Sequence, residues 1–178
     1  MLETLITSKT RIRLLHTFFL NAQNEAYLRG LEAELGESTN SIRIELNRLL
    51  RARLLLSVTR GNRRFYRANP NHAYFEDLQQ IVRKEAGIPE ILETLQPFLN
   101  SMQAIYLSGD LCKGIPTDIV DLILVGKPDQ KSMLKQFSKL EKLKSRKFRF
   151  ILFNQLKDKR LHKLIEDERP LLLWERKK

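Results

Sequence analysis

The chain has 178 residues, 42% of them hydrophobic and 30% charged, a composition typical of a globular protein. Its longest apolar runs are too short to span a bilayer, and one cysteine with three scattered histidines excludes an internal disulfide and disfavours a structural zinc site. The net charge of +11 is uneven: residues 1–70 carry +6, residues 71–126 carry −5 and residues 127–178 carry +10.

The basic first third is typical of a module that binds phosphates, whereas the lysines of the last third are equally compatible with a solvated surface. No secretory signal is visible near the N-terminus, so we expect a cytoplasmic location and no membrane partner. We expect no cofactor and no metal site.

The first fifty residues predict three helices. Apolar residues recur at helical spacing from Ser8 to Leu20, with Thr7 or Ser8 as the N-cap. A second, short helix is predicted over about Ala26 to Leu35 and ends at Gly36. A run of four cap-forming residues at 38–41 then begins a third helix, which extends to about residue 52.

The next segment, Leu54 to Asn69, changes to the period of strands around the turn Arg60-Gly61-Asn62. Pro70 ends this segment, since proline cannot continue a strand ladder. The pattern predicts a two-stranded hairpin with arginines at its tip. Three helices followed by a basic hairpin are the layout of a winged helix-turn-helix.

The third helix, about 39–51, is predicted to enter the major groove of double-stranded DNA as a recognition helix. Hydroxyl and amide groups bond phosphates or base edges, and Arg43 is long enough to reach a guanine. The hairpin tip, residues 60–64, is expected on the DNA backbone or in the minor groove. The predicted DNA-binding residues are Ser38, Thr39, Asn40, Ser41, Arg43, Asn47, Arg48, Arg60, Asn62, Arg63 and Arg64. We place Glu45 on the same outward face; a module that binds only proteins is the alternative.

Residues 8–85, which include RRFYRANPNHAYFEDL, resemble the winged helix-turn-helix regulators of the ArsR-like superfamily. The resemblance implies a homodimer, in which the predicted helix Ala73–Glu85 would pair with its copy. A dimer would also suit DNA, because one helix reads few base pairs. The alternative is that this helix docks against the C-terminal half. The cysteine ligands of metal-sensing members are missing, so metal sensing is not implied.

The second half predicts a small α/β domain. Gly87-Ile88-Pro89 marks the boundary, so the predicted domains are residues 1–86 and 87–178. The predicted elements are a helix over Ile88–Leu99, strands around Ile105 and Ile123, a helix over Gln130–Leu143, a strand within 147–154 and a short helix over about 160–167. The fold class is therefore α+β, with an N-terminal winged helix-turn-helix followed by this domain.

Residues 88–174 resemble the minimal nucleotidyltransferase fold in their order of elements. The stretch Tyr106–Gly126 carries the resemblance: a strand, a glycine turn, a loop and a second strand that begins near two aspartates. In that family the Gly-Ser turn holds the triphosphate, and two aspartates hold magnesium. The resemblance implies a nucleotide site at Gly109, Asp110, Asp118 and Asp121.

These positions depart from the family pattern. Asp110 stands in place of the serine, where a carboxylate would repel phosphate. If Asp121 takes the second aspartate position, Ile119 takes the first and cannot bind a cation. Asp118 lies three residues from Asp121, which places the two on opposite faces of a strand. We therefore expect a degenerate site without catalytic residues; weak cation binding by the aspartates is an alternative.

Together these patterns predict a DNA-binding transcriptional regulator that is not an enzyme. Its C-terminal domain would serve assembly or sensing, with a nucleotide or a protein as its possible ligand. Two alternatives remain open: an active nucleotidyltransferase that modifies a protein or RNA, and an antitoxin-like protein-interaction module.

Overall fold

The structure, a computed structural model, describes residues 2–177, with the side chains at 143 and 144 left out. The chain divides into two compact units. The first contains the residues up to Ala86 together with Lys113–Pro116, and the second contains Gly87–Cys112 and Thr117–Lys178. Residues 113–116 thus group with the first unit, although the sequence places them in the second domain. Within the described residues, no helix is both long and apolar enough to cross a bilayer.

The first unit contains helices and short strands. They are α1 (Leu2–Leu5), α2 (Lys9–Phe19), β1 (Ala26–Tyr27), α3 (Leu28–Leu35), α4 (Thr39–Arg51), β2 (Leu55–Arg60), β3 (Arg63–Ala68) and α5 (Phe75–Glu85). The strands form an antiparallel sheet in the order β1-β3-β2. The helix prediction at Ala26 is wrong, because Ala26 and Tyr27 pair with β3 as a strand and α3 begins only at Leu28.

Three of the predicted helix boundaries, at Ser8, Gly36 and Ser38, are confirmed. The Ser8 hydroxyl caps α2 by accepting a hydrogen bond from the Arg11 backbone N–H at 3.2 Å. Gly36 ends α3 with a φ of 63°, a left-handed conformation that glycine adopts without steric cost. Ser38 caps α4 by accepting from the Ser41 backbone N–H at 3.1 Å. The Ser38 cap fixes where α4 begins.

The first core joins α2, α3 and α4 through fully buried side chains, among them Leu14, Phe18, Leu31 and Ile42. Helix α5 packs on α2, where the rings of Phe19 and Phe75 lie 6.1 Å apart. Burial of these apolar side chains is the main stabilising contribution to the unit. Three packed helices with a β2–β3 hairpin form the winged helix-turn-helix that the sequence predicts.

The second unit contains a four-stranded sheet with helices. Its elements are α6 (Ile88–Leu95), a 3₁₀ helix (Gln96–Ser101), β4 (Met102–Ser108), α7 (Gly109–Cys112), β5 (Ile119–Gly126), α8 (Gln130–Lys144), β6 (Lys147–Phe153), α9 (Lys159–Glu168) and β7 (Leu171–Glu175). The predicted helix over Ile88–Leu99 ends at Leu95 as an α-helix and continues as 3₁₀ structure around Pro97. The apolar end of the chain forms a strand that the sequence analysis does not assign. The mixed α+β class is confirmed.

The second sheet has the order β6-β5-β4-β7, with β5 and β6 parallel and the other pairs antiparallel. One end of one face is covered by α9, whose Leu161 packs with Ile123, Val125 and Phe153. Side chains alternate between faces along a strand, so Asp121 shares this face with Ile123 and Val125. Asp121 lies near the other end, where the sheet borders a cavity.

Candidate functional site

Helix α4 buries one face and exposes the other. Its buried residues are Ile42, Glu45, Leu46 and Leu49, at the spacing of a single helical stripe. The opposite stripe consists of Asn40, Ile44, Asn47 and Arg51, spaced four, three and four residues apart, and all four are exposed. This outward stripe, residues 40, 44, 47 and 51, is flanked by Arg43 and Arg48.

The predicted DNA-binding residues from Ser38 to Asn47 fall into two groups. Ser38 and Ser41 hydrogen-bond to each other through their hydroxyls at 2.8 Å, and the Thr39 hydroxyl donates to Glu32 at 2.8 Å. The side chains of Ser38, Thr39 and Ser41 are thus hydrogen-bonded within the protein, at the beginning of α4. Within the part of the chain that the structure describes, the side chains of Asn40, Arg43 and Asn47 make no hydrogen bond or ion pair; all three are exposed.

The prediction that Glu45 faces outward is wrong, since this residue is only 5% exposed. Its carboxylate accepts hydrogen bonds from Arg11 at 2.8 Å, from Ser8 at 2.9 Å and from Arg48 at 2.9 Å. Burial alone would raise the pKa of Glu45. The hydrogen bonds from Arg11 and Ser8 and the charges of Arg11 and Arg48 instead hold that pKa below its ordinary value. Arg48, predicted to contact DNA, is therefore ion-paired within the unit.

Each arginine of the wing, residues 60–64 at the tip of the β2–β3 hairpin, lies over an aromatic ring. Arg63 lies 4.8 Å from the ring centre of Tyr27. Arg60 lies 5.3 Å from Phe65, and Arg64 lies 5.5 Å from Tyr66. The rings hold the flat guanidinium groups by cation–π attraction, and all three arginines remain exposed. The unpredicted strand β1 supplies one of these rings, so it helps to position the wing.

The turn of the wing consists of two residues, Gly61 and Asn62, between β2 and β3. Gly61 has a φ of 60°, which a glycine accommodates, and Asn62 is exposed at the tip. Arg60 forms an ion pair with Glu25 through two hydrogen bonds, and Arg64 donates to the Ser57 hydroxyl at 2.9 Å. Of the three arginines, Arg60 is thus the one with a carboxylate partner in the described chain.

In the second unit, Asp121 is paired with Arg149, a residue that the sequence analysis does not single out. The two lie at the same register on β5 and β6, and Arg149 donates two hydrogen bonds to the carboxylate, at 2.7 and 2.8 Å. The hydrogen bonds to Asp121 and its negative charge raise the pKa of Arg149 above its ordinary value. Both carboxylate oxygens of Asp121 therefore face a cation supplied by the chain itself.

Of the other residues of the predicted nucleotide site, Gly109 lies against the Asp121–Arg149 pair. Gly109 has a φ of 68°, and a Cβ built on it would lie 2.4 Å from the nearer carboxylate oxygen of Asp121. Asp110 is exposed in α7, and Asp118 is exposed just before β5, with its backbone carbonyl accepting from the Lys147 N–H at 2.8 Å. Among the described residues, no group of three His, Cys, Asp or Glu side chains is placed to hold a metal ion.

A cavity of about 410 Å³ lies beside the Asp121–Arg149 pair. Its lining residues are Ser108, Gly109, Asp121, Leu122, Arg149, Phe150, Ile151, Leu164 and Glu168. Two of the four predicted residues, Gly109 and Asp121, line it, and Asp110 and Asp118 do not.

Comparison with known proteins gives weak likenesses. No protein-family model and no curated protein matches the chain. Reduced HlyU from Vibrio cholerae N16961 is 17% identical with a TM-score of 0.36, over 46% of this chain and 78% of that one. AF1382 from Archaeoglobus fulgidus is 14% identical with a TM-score of 0.38, over 52% of this chain and 98% of that one. Likenesses at this level assign neither a family nor a function.

Proposed function

We propose that the chain is a transcriptional regulator that binds double-stranded DNA through its first unit. Helix α4 would enter the major groove, and the wing, residues 60–64, would contact the backbone or the minor groove. The observation that carries the proposal is the exposed polar face of α4, on which Asn40, Arg43 and Asn47 make no side-chain bonds within the described chain.

The chemistry of this face matches what a major groove offers. Asparagine amides can make paired hydrogen bonds to adenine, and arginine can do the same to guanine. The capped start of α4 presents Asn40 and Arg43 in its first turns, which lie closest to base edges in helix-turn-helix proteins. The wing arginines would neutralise phosphates, and their aromatic supports would reduce the entropy lost on binding.

A salt series of duplex binding tests the proposal. The duplexes would be enriched from a random pool, and affinity measured by fluorescence anisotropy between about 50 and 200 mM salt. We expect affinity to fall at least about tenfold over this range, because each neutralised phosphate releases a counterion. Affinity no better than millimolar at low salt, or affinity that does not change with salt, would refute DNA binding.

We also propose that the protein acts as a homodimer through α5. Tyr74 and Ile81 are exposed, 65% and 38% respectively, and they line an apolar cavity of about 450 Å³ with Leu54 and Leu78. A second copy would cover these side chains and present two recognition helices to two half-sites. Light scattering should give twice the chain mass for the wild type and the single mass for Ile81→Glu. A monomeric wild type at micromolar concentration would contradict the dimer.

For the second unit we propose a role in assembly or sensing, without nucleotidyl transfer. The support is the pairing of Asp121 with Arg149, together with an apolar Ile119 on the same face of β5. A carboxylate that is already paired with a guanidinium is a poor ligand for a cation. The cavity beside the pair is where a nucleotide or another small ligand would bind.

A further inference from the structure

Ile44 is the apolar residue of the outward stripe on α4. Ile44 is 44% exposed, although Ile42, Leu46 and Leu49 of the same helix are buried and Leu50 is half-buried. Its neighbours on the stripe, Asn40 and Asn47, are amides. An isoleucine at the centre of an otherwise polar face leaves nearly half of its surface in water, and this exposure is unfavourable.

We propose that Ile44 recognises the 5-methyl group of a thymine in the major groove; this inference rests on the proposed function. That methyl group is the one apolar feature that standard base edges present there, and apolar side chains are its usual partners. The helical spacing supports this role, because Asn40 and Asn47 lie one turn before and one turn after Ile44 on the same face. The amides would bond base edges while the isoleucine covers the methyl group between them.

The inference specifies the class of DNA site. Each half-site would contain a thymine at the position facing the middle of α4, with bases that accept or donate hydrogen bonds on either side. A cytosine at that position would lack the methyl group, and 5-methylcytosine would supply it again. The amides alone could not distinguish a methylated base from its unmethylated form, since thymine and uracil, like 5-methylcytosine and cytosine, present the same hydrogen-bonding groups.

The test replaces single thymines by deoxyuracil in a duplex enriched from a random pool. This change removes one methyl group and keeps every hydrogen bond. For the wild-type protein we expect about a fourfold loss of affinity when one particular thymine in each half-site is replaced. This is the loss of affinity expected when one methyl group is no longer buried. Ile44→Ala should bind the thymine and uracil duplexes equally. Because Ile44 is exposed, this variant should fold normally, which circular dichroism would check.

A matched control is Leu134→Ala on α8, since Leu134 is 52% exposed and the change also removes three carbon atoms. This variant should keep the wild-type preference for thymine. Salt-sensitive binding in which no thymine-to-uracil change lowers affinity, or in which Ile44→Ala keeps the preference, would overturn the inference and leave the proposed function intact. The absence of duplex binding at low salt would overturn both.

Discussion

Asp121 and Arg149 lie side by side on the parallel strands β5 and β6, and two hydrogen bonds of 2.7 and 2.8 Å join the carboxylate to the guanidinium. The pair occupies the place where the resemblance to nucleotidyltransferases implies a magnesium ligand. Each oxygen of Asp121 accepts a hydrogen bond from the arginine, so a cation bound to this carboxylate would lie beside a positive charge that opposes its binding.

The first prediction concerns nucleotidyl transfer. Incubated with labelled ATP and magnesium, the wild-type chain should transfer no label to itself, to protein or to RNA. Arg149→Ala should also be inactive, because the released Asp121 still has Ile119, and not a second carboxylate, beside it on the same face of β5. The measurement is label retained after denaturing electrophoresis. Transfer by the wild type that is lost in Asp121→Ala would show that the second unit is an enzyme.

The wing provides the second prediction. Replacing Arg63 and Arg64 together by glutamine should weaken binding to all duplexes alike and reduce the slope of log affinity against log salt by about two, one for each phosphate contact. Lys135→Gln with Lys139→Gln on α8 removes the same charge from an exposed surface of the second unit and serves as the control. Equal losses in both double variants would mean that net charge, and not the wing, governs binding.

The third prediction separates base reading from phosphate binding. Arg43→Ala should reduce affinity for an enriched duplex by about 1–3 kcal/mol, the range for one bidentate contact with a guanine. Its affinity for random duplexes should change much less. Competition between the two duplexes in one anisotropy experiment measures the ratio directly. A loss of the same size on both would place Arg43 on the backbone.

The fourth prediction concerns acid stability through Glu45. Its folded-state pKa is lowered, so near that pKa the unfolded chain binds more protons than the folded chain. The stabilisation is therefore complete above the unfolded carboxyl pKa of about 4.3 and is lost as the pH falls through the folded value. Glu45→Gln should lower the free energy of unfolding at neutral pH by about 1–3 kcal/mol.

Urea unfolding at several pH values checks this prediction. The difference between the wild type and Glu45→Gln should begin to narrow once the pH falls below the unfolded carboxyl pKa of about 4.3, and it should be smallest below the lower folded pKa. Glu76→Gln, at an exposed position of α5, serves as the control for a change of charge without a buried network. A difference that stays constant from neutral to acid pH would mean that ionisation of Glu45 contributes nothing.

Much of the first unit could be predicted, because its helices have clear periodicity and explicit caps. Ser8, Gly36 and Ser38 end or begin helices as the sequence indicates. Strand β1 was missed because two residues carry no period, and it exists through its pairing with β3. The burial of Glu45 follows from its place on one stripe with Ile42 and Leu49. Its charge instead favours the surface, because one of the arginines that compensate this charge, Arg11, lies on a different helix, α2.

The candidate sites were less predictable, because they depend on contacts between distant residues. Ile44 and Arg51 follow from the spacing of the outward stripe, but Ile44 is apolar and Arg51 is the last residue of α4, so neither fits the pattern of polar residues near the start of a recognition helix. The partnership of Asp121 with Arg149 requires the register of β5 against β6, which no local pattern specifies. The support of Arg63 by Tyr27 likewise depends on the pairing of β1 with β3.

The position of β7 has a consequence for synthesis of the protein. This strand completes one edge of the second sheet by pairing with β4, yet about sixty residues separate the two in the chain. While the nascent chain leaves the ribosome, β4 would present its unpaired backbone groups until Leu171 emerges. A message truncated before that codon would yield a product with an open, apolar strand edge, which is prone to aggregate and suited to capture by chaperones.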